Sequence, residues 1–219
     1  MSMPRFLSHQ ISSPLRRACD VFINHRGVDT KKTVAGLLYH RLSQLNINAF
    51  LDSKSMQPGD RLYESIGSAI RKSKIGVVVF SPRYCDSYFC LHELALLVDQ
   101  KKKLIPIFCD VKPSELQIMA YEKSTPKELV RFRKALEEAR YTVGFVFDSQ
   151  NGNWSDLVTN VSDIIVKSLN EQEGQKHLRR QGSFIVYLFG YLLKAWDFYM
   201  WNILVDGPNW ALAINDLNN

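Results

Sequence analysis

The chain has four cysteines, Cys19, Cys85, Cys90 and Cys109, and no two stand at a CxxC spacing. That absence argues against a zinc ribbon or a thioredoxin-type redox pair. No apolar leader opens the sequence, so the expectation is a cytoplasmic protein with reduced thiols. A nuclear or membrane-associated pool is compatible with the same composition. Blocks of five or six like charges are also missing, and the longest basic run is 101–103. The net charge of +6 therefore permits a nucleic-acid partner without demanding one. No GxxxxGK[ST] loop occurs and no GxGxxG follows the first strand candidate, which argues against P-loop and dinucleotide-fold chemistry.

What remains is a chain of 219 residues, 46% apolar and 23% charged, enough for one full core with appendages. Residues 1–19 carry basic residues and no acid, and read as a flexible extension rather than a transit peptide. From Asp20 short apolar runs alternate with amphipathic stretches, the pattern of an α/β fold with a parallel sheet. The strand candidates are 20–23, 47–51, 75–80, 104–108 and 142–147. The first helix pattern carries Val34, Leu37, Leu38 and Leu42. After the loop DSKSMQPG, a second has Leu62, Ile66, Ala69 and Ile70 as its buried stripe and Asp60 placed to cap it. PKELVRFRKALEEAR gives another helix, and Leu157, Val161, Ile164, Ile165 and Leu169 line the face of a later one. Five strands with short crossovers predict a flavodoxin-like doubly wound sheet, which binds ligands at the carboxyl ends of its strands. A receiver domain is excluded: the first strand ends in Asn24-His25 and the third in Ser81-Pro82, where its acids belong.

Residues 171–183 are polar and read as a linker. The composition then shifts to an aromatic-rich tail, 184–219. Within it, 184–205 is long enough to cross a bilayer, but it carries Lys194 and Asp197 near its midpoint. Membrane association and a helix docking on a partner or on the domain both stay open.

The stretch SYFCLHELALL (87–97) places Cys90, His92 and Glu93 on one helix. Taking Leu91 as zero, Leu94, Ala95 and Val98 form the buried stripe. His92, Glu93 and Cys90 lie at about 100°, 200° and 260°. Cys90 and His92 diverge too far to share a metal, so no metal site is expected and His92 reads as a surface residue. Cys90 and Glu93 are i,i+3 neighbours, and Glu93 sits in the early turns, on the carboxyl side of the third strand. Geometry leaves it open between a site carboxylate and a solvated helix glutamate.

Several segments match one pattern in order. DVFINHRGVDTKK is similar to the DVFxSFRGxDTR opening of plant Toll/interleukin receptor (TIR) domains. INAFLDSKSMQPGDRLYESIGSAIRKSK resembles their second strand, BB loop and following helix. IGVVVFSPRYCDSYFCLHELALL resembles VVVxSxxYxxSxWCLxEL, and LIPIFCDVKPSEL resembles PIFYDVxPSxV. The match covers about residues 20–170 and implies a flavodoxin-like TIR fold, a five-stranded parallel sheet with helices on both faces. It also implies cleavage of NAD at the nicotinamide–ribose bond, giving nicotinamide and ADP-ribose or a cyclic variant, in plant immune signalling. NAD would be the substrate, with no cofactor. The glutamate of WCLxEL falls on Glu93, implied to hold the ribose hydroxyls and stabilise oxocarbenium-like charge. The cysteine falls on Cys90, tied in some members to a second activity on nucleic acid. The FRG segment maps to His25, Arg26 and Gly27, with Arg26 suited to phosphate or ribose. Asp52 and Phe89 are further binding candidates, as is Lys31 in place of the arginine of DTR.

The departures are definite. Phe89 replaces the family's tryptophan, His25 its phenylalanine, and Gly36-Leu37 its Ser-His helix-pairing motif. The segment ahead of PKELVRF is short. The resulting expectation is a TIR-only, NAD-cleaving enzyme that works as an oligomer with itself and other TIR domains. The alternative is a non-catalytic adaptor acting through TIR–TIR association.

Overall fold

The computed structural model describes residues 19–56, 59–118 and 124–205. The expected N-terminal extension up to residue 18 and the tail beyond 205 lie outside the described residues. Five strands, β1 (Val21–His25), β2 (Ala49–Phe50), β3 (Ile75–Phe80), β4 (Lys103–Cys109) and β5 (Phe145–Phe147), form one parallel sheet in the order β2-β1-β3-β4-β5. Its helices are α1 (Gly27–Thr30), α2 (Val34–Gln44), α3 (Asp52–Ser55), α4 (Leu62–Lys72), α5 (Tyr88–Asp99), α6 (Pro126–Tyr141) and α7 (Trp154–Val205).

The central strands are buried on both faces, as a parallel sheet covered by helices requires. In β3, Val78 and Phe80 face α4, α5 and α6, while Ile75, Val77 and Val79 face α2 and the start of α7. The same alternation sends Phe22 to the first side and Val21 and Ile23 to the second. Gly76 lets α5 press on the sheet: a Cβ there would meet Leu97 Cδ2 at 2.8 Å. Ser87 caps α5 by accepting from Cys90 N at 3.3 Å. Thr125 and Glu128 form a capping box on α6, with Pro126 in its first turn.

The two edge strands are shorter than the apolar runs suggest. β2 has two residues against the five expected, and Val143, ahead of β5, is exposed. Three helix assignments change. Leu62 is exposed rather than part of the buried stripe of α4, and Ile164 is exposed on α7. The cap of α4 is Arg61, not Asp60; Arg61 instead pairs with Glu64 at 2.9 Å. The DSKSMQPG loop contains a helical turn, α3.

The chain divides into two compact units, 1–169 and 170–219. In the first, Leu157, Val161, Ile165 and Leu169 are buried. In the second, residues 171–183, read from their polarity as a linker, are helical. Tyr187, Phe189, Tyr191, Leu192, Leu193 and Trp196 of that unit are exposed. Among the described residues no helix is long and apolar enough to cross a membrane.

Candidate active site

The strand order sends the crossover after β1 toward β2 and the one after β3 the opposite way, toward β4. A crevice opens at the carboxyl end, where such folds bind ligands. There β1 ends on two buried polar residues, Asn24 and His25, in an otherwise apolar strand. The chain then turns through Arg26 into α1. Asp29 ties that turn to the end of β3: it accepts from Ser81 Oγ at 2.7 Å and pairs with Arg83. A cavity of about 340 Å³ lies beside the turn. His25, Arg26, Gly27 and Val28 form one wall, Asp52, Leu62 and Ile66 a second, and Ser87, Phe89, Cys90 and Glu93 the third.

Glu93 is half-buried and faces β1, where Asn24 Nδ2 donates to its Oε2 at 2.7 Å. Burial pushes the Glu93 carboxyl up to about 8; the Asn24 hydrogen bond opposes that rise and the negative charge of Asp52 adds to it. Near neutral pH Glu93 is thus largely a protonated acid. Asn24 also donates to the Cys90 carbonyl at 3.2 Å. The hydroxyl of Tyr84, which is fully buried, donates to Asn24 Oδ1 and lies 3.1 Å from the same carbonyl.

Cys90 is buried, and its thiol donates to the His25 carbonyl at 3.4 Å. Burial pushes it up to about 12, so at neutral pH it is a thiol and not a thiolate nucleophile. Burial lowers the His25 imidazole below its usual range, with Asp52 opposing, so the ring is neutral at pH 7. His25 Nε2 and Arg26 Nε are both buried with no hydrogen-bond partner. Gly27 has open space where a Cβ would stand. Phe89 is exposed at the rim, stacked on Tyr63 with ring centres 5.8 Å apart.

Seven of the eight sequence-selected residues therefore line one cavity: His25, Arg26, Gly27, Asp52, Phe89, Cys90 and Glu93. Lys31 does not; it is exposed at the end of α1 and acts on His25 only through its charge. His92, expected on the surface, is half-buried. Its ring stacks on Tyr88 at 5.8 Å and meets Phe132 edge-on at 6.5 Å, because α6 covers that side of α5. Sequence reasoning missed Asn24 and Tyr84 as site residues. The available signal was a polar side chain near the end of an apolar strand.

The five-stranded parallel sheet in the order β2-β1-β3-β4-β5, with helices on both faces, places the molecule among flavodoxin-like α/β domains. The model of the TIR domain matches residues 18–183, and the chain belongs to the TIR domain family. It is 51% identical over 158 residues to a protein of Brachypodium distachyon named probable 2′ cyclic ADP-D-ribose synthase BdTIR, covering 70% of each chain. It is 33% identical over 174 residues to TMV resistance protein N of Nicotiana glutinosa. That match covers 72% of this chain but 15% of the relative, so the chain spans a small part of that longer protein. Among solved structures it is similar to the TIR domains of the activated Roq1 resistosome, which directly recognizes the pathogen effector XopQ. The TM-score is 0.59 at 30% identity, over 67% of this chain and 98% of that one.

Proposed function

We propose that this protein is an NAD nucleosidase acting in plant immune signalling, with Glu93 as its catalytic carboxylate. The observation that carries the reading is the Glu93 cavity itself. It combines the half-buried Glu93 carboxyl with unpartnered nitrogens on His25 and Arg26 at a switch-point crevice. The 51% identity to a relative named for cyclic ADP-ribose synthesis supports the same chemistry.

In the reaction, the bond between the nicotinamide nitrogen and the ribose anomeric carbon breaks. Its electron pair neutralises the pyridinium, and the ribose acquires oxocarbenium character. An ionised Glu93 in a low-dielectric cavity stabilises that charge and accepts from the ribose hydroxyls. Attack by water, which gives up a proton to solvent, yields ADP-ribose. Attack by a hydroxyl of the adenosine ribose, which likewise gives up its proton to solvent, yields a cyclic product, the class named in the Brachypodium relative. Arg26 is suited to the diphosphate and Phe89 to stacking on a base. The cavity volume of about 340 Å³ is at the low end for a ligand pocket. It fits the nicotinamide–ribose end, leaving the remainder of the dinucleotide to the rim and to a second copy of the domain. The activity would belong to a self-associated cytoplasmic form, where four unpaired cysteines persist as thiols.

The test is nicotinamide release from NAD by the purified full chain at high protein concentration, with E93Q as control. Release that depends on Glu93 supports the enzyme. No release, or equal release from E93Q, overturns it and leaves the adaptor reading.

A further inference from the structure

Asn24 stands where the family pattern DVFxSFRG has serine, and its side chain is completely buried with every hydrogen-bonding group occupied. Oδ1 accepts from the Tyr84 hydroxyl, and the two Nδ2 hydrogens go to Glu93 Oε2 and to the Cys90 carbonyl. The orientation of the amide follows from its partners. The Cys90 carbonyl can only accept, so the group facing it must be the NH2. A flipped amide would set its oxygen against both that carbonyl and the Glu93 carboxyl. Tyr84 fixes the other end, since its hydroxyl supplies the hydrogen that Oδ1 accepts. Tyr84 is itself held by packing edge-on against Phe80, ring centres 4.6 Å apart.

We propose that Asn24 is a positioning residue for Glu93: it pins Oε2, reserves Oε1 for the proton and for the substrate, and is locked in its donating orientation by Tyr84. This rests on the reading of Glu93 as the catalytic carboxylate. The amide favours the ionised form, because it donates to Oε2 whether or not the acid is charged and the bond is stronger to a carboxylate. A serine at position 24 is too short to reach Glu93 while also engaging Tyr84. The pattern residue therefore cannot make the same clamp.

The other groups around Glu93 are Asp52 from α3, Arg26 and His25 from the end of β1, Tyr84 from the turn before α5, and Cys90 on its own helix. Asp52 opposes ionisation of Glu93, and burial opposes it more strongly. Asn24 is the group that acts in the other direction.

Titration of the full chain carrying 13C-labelled glutamate tests the proposal, with the Glu93 signal assigned by its loss in E93Q. Replacing Asn24 by serine (N24S) should move the Glu93 midpoint upward by about one pH unit, and N24D further, since it adds a third carboxylate. Y84F leaves Oδ1 without its donor, loosens the hold on the amide and should give a smaller upward shift. The alkaline displacement should reappear in the pH profile of nicotinamide release, with kcat falling more than KM changes. A merely structural role would lower activity equally at all pH values and leave the midpoint in place. Midpoints within about 0.3 unit of wild type in N24S and Y84F overturn the proposal. If the Asn24 variants do not fold, Y84F decides alone. If the wild type releases no nicotinamide, the enzymatic reading falls, while the titration still decides whether Asn24 positions Glu93.

Discussion

Two cavities among the described residues contrast in character. The larger, about 610 Å³, lies over the edge strand β2, between the end of α2 and α4. Ser43, Asn46, Asn48, Ser65, Ser68 and Lys72 are among its lining residues. Its acids, Asp60 and Glu64, are exposed, and Glu64 pairs with Arg61 in solvent. The smaller, about 340 Å³, sits where β1 and β3 end and holds a carboxyl raised to about 8. Volume here marks a place where two helices span an edge strand of only two residues. Chemistry marks the other place, where a switch point lets a carboxylate be buried beside unpartnered nitrogens. The proposed function belongs to the smaller cavity, because charge taken out of water responds strongly to what binds beside it.

The comparison can be broken most forcefully at the support behind each wall. Phe132 on α6 packs against His92 and Tyr88 and so backs the helix that carries Glu93. Phe132→Ala should cost about 3–5 kcal/mol in urea unfolding, as a buried ring lost to a cavity. Next, Glu93→Gln should lower kcat for nicotinamide release by about 10²–10³-fold while leaving the fold intact, read by steady-state kinetics and circular dichroism.

A third test sharpens the electrostatic half of the contrast. The Glu93 carboxyl has a folded value of about 8, against 4.5 when unshifted. Because the folded value is raised, its contribution to stability is complete below 4.5 and is lost as pH rises through about 8. E93Q should therefore gain melting temperature relative to wild type as pH rises across that window, with no gain below it. In the same window kcat/KM of the wild type should climb, since ionised Glu93 is the working form. Smaller still, Thr125→Ala removes the capping box of α6 and should cost about 1 kcal/mol in thermal unfolding. Smallest, Ser68→Ala in the larger cavity should change stability by no more than about 0.5 kcal/mol, and nicotinamide release not at all. A large loss of activity there would reverse the ranking of the two cavities.

How much was legible in advance varied with burial. β1, β3 and β4 follow continuous apolar runs because each is covered on both faces, and the helices between them show clear amphipathic stripes. β2 and β5 are shorter than their runs because an edge strand has a neighbour on one side only, so apolar residues such as Val143 extend beyond the pairing. Leu62 and Ile164 kept the helical period yet are exposed. A period indicates which residues share a face and not how far the covering element reaches. His92 was misplaced for the converse reason: α6 covers a side of α5 that the wheel alone leaves to solvent. At the site, Glu93 stood out through its motif, while geometry alone left it undecided.

The sequence by itself determined the class of sheet, which follows from local period, and the motif that carries Glu93, which its resemblance to the TIR pattern picked out. Only the tertiary structure decided what Glu93 is. Its raised carboxyl and its hold by Asn24 depend on residues 69 positions apart meeting across a β-strand and a helix. Burial and hydrogen bonding are properties of neighbours in space, and neither is written in the order of the residues.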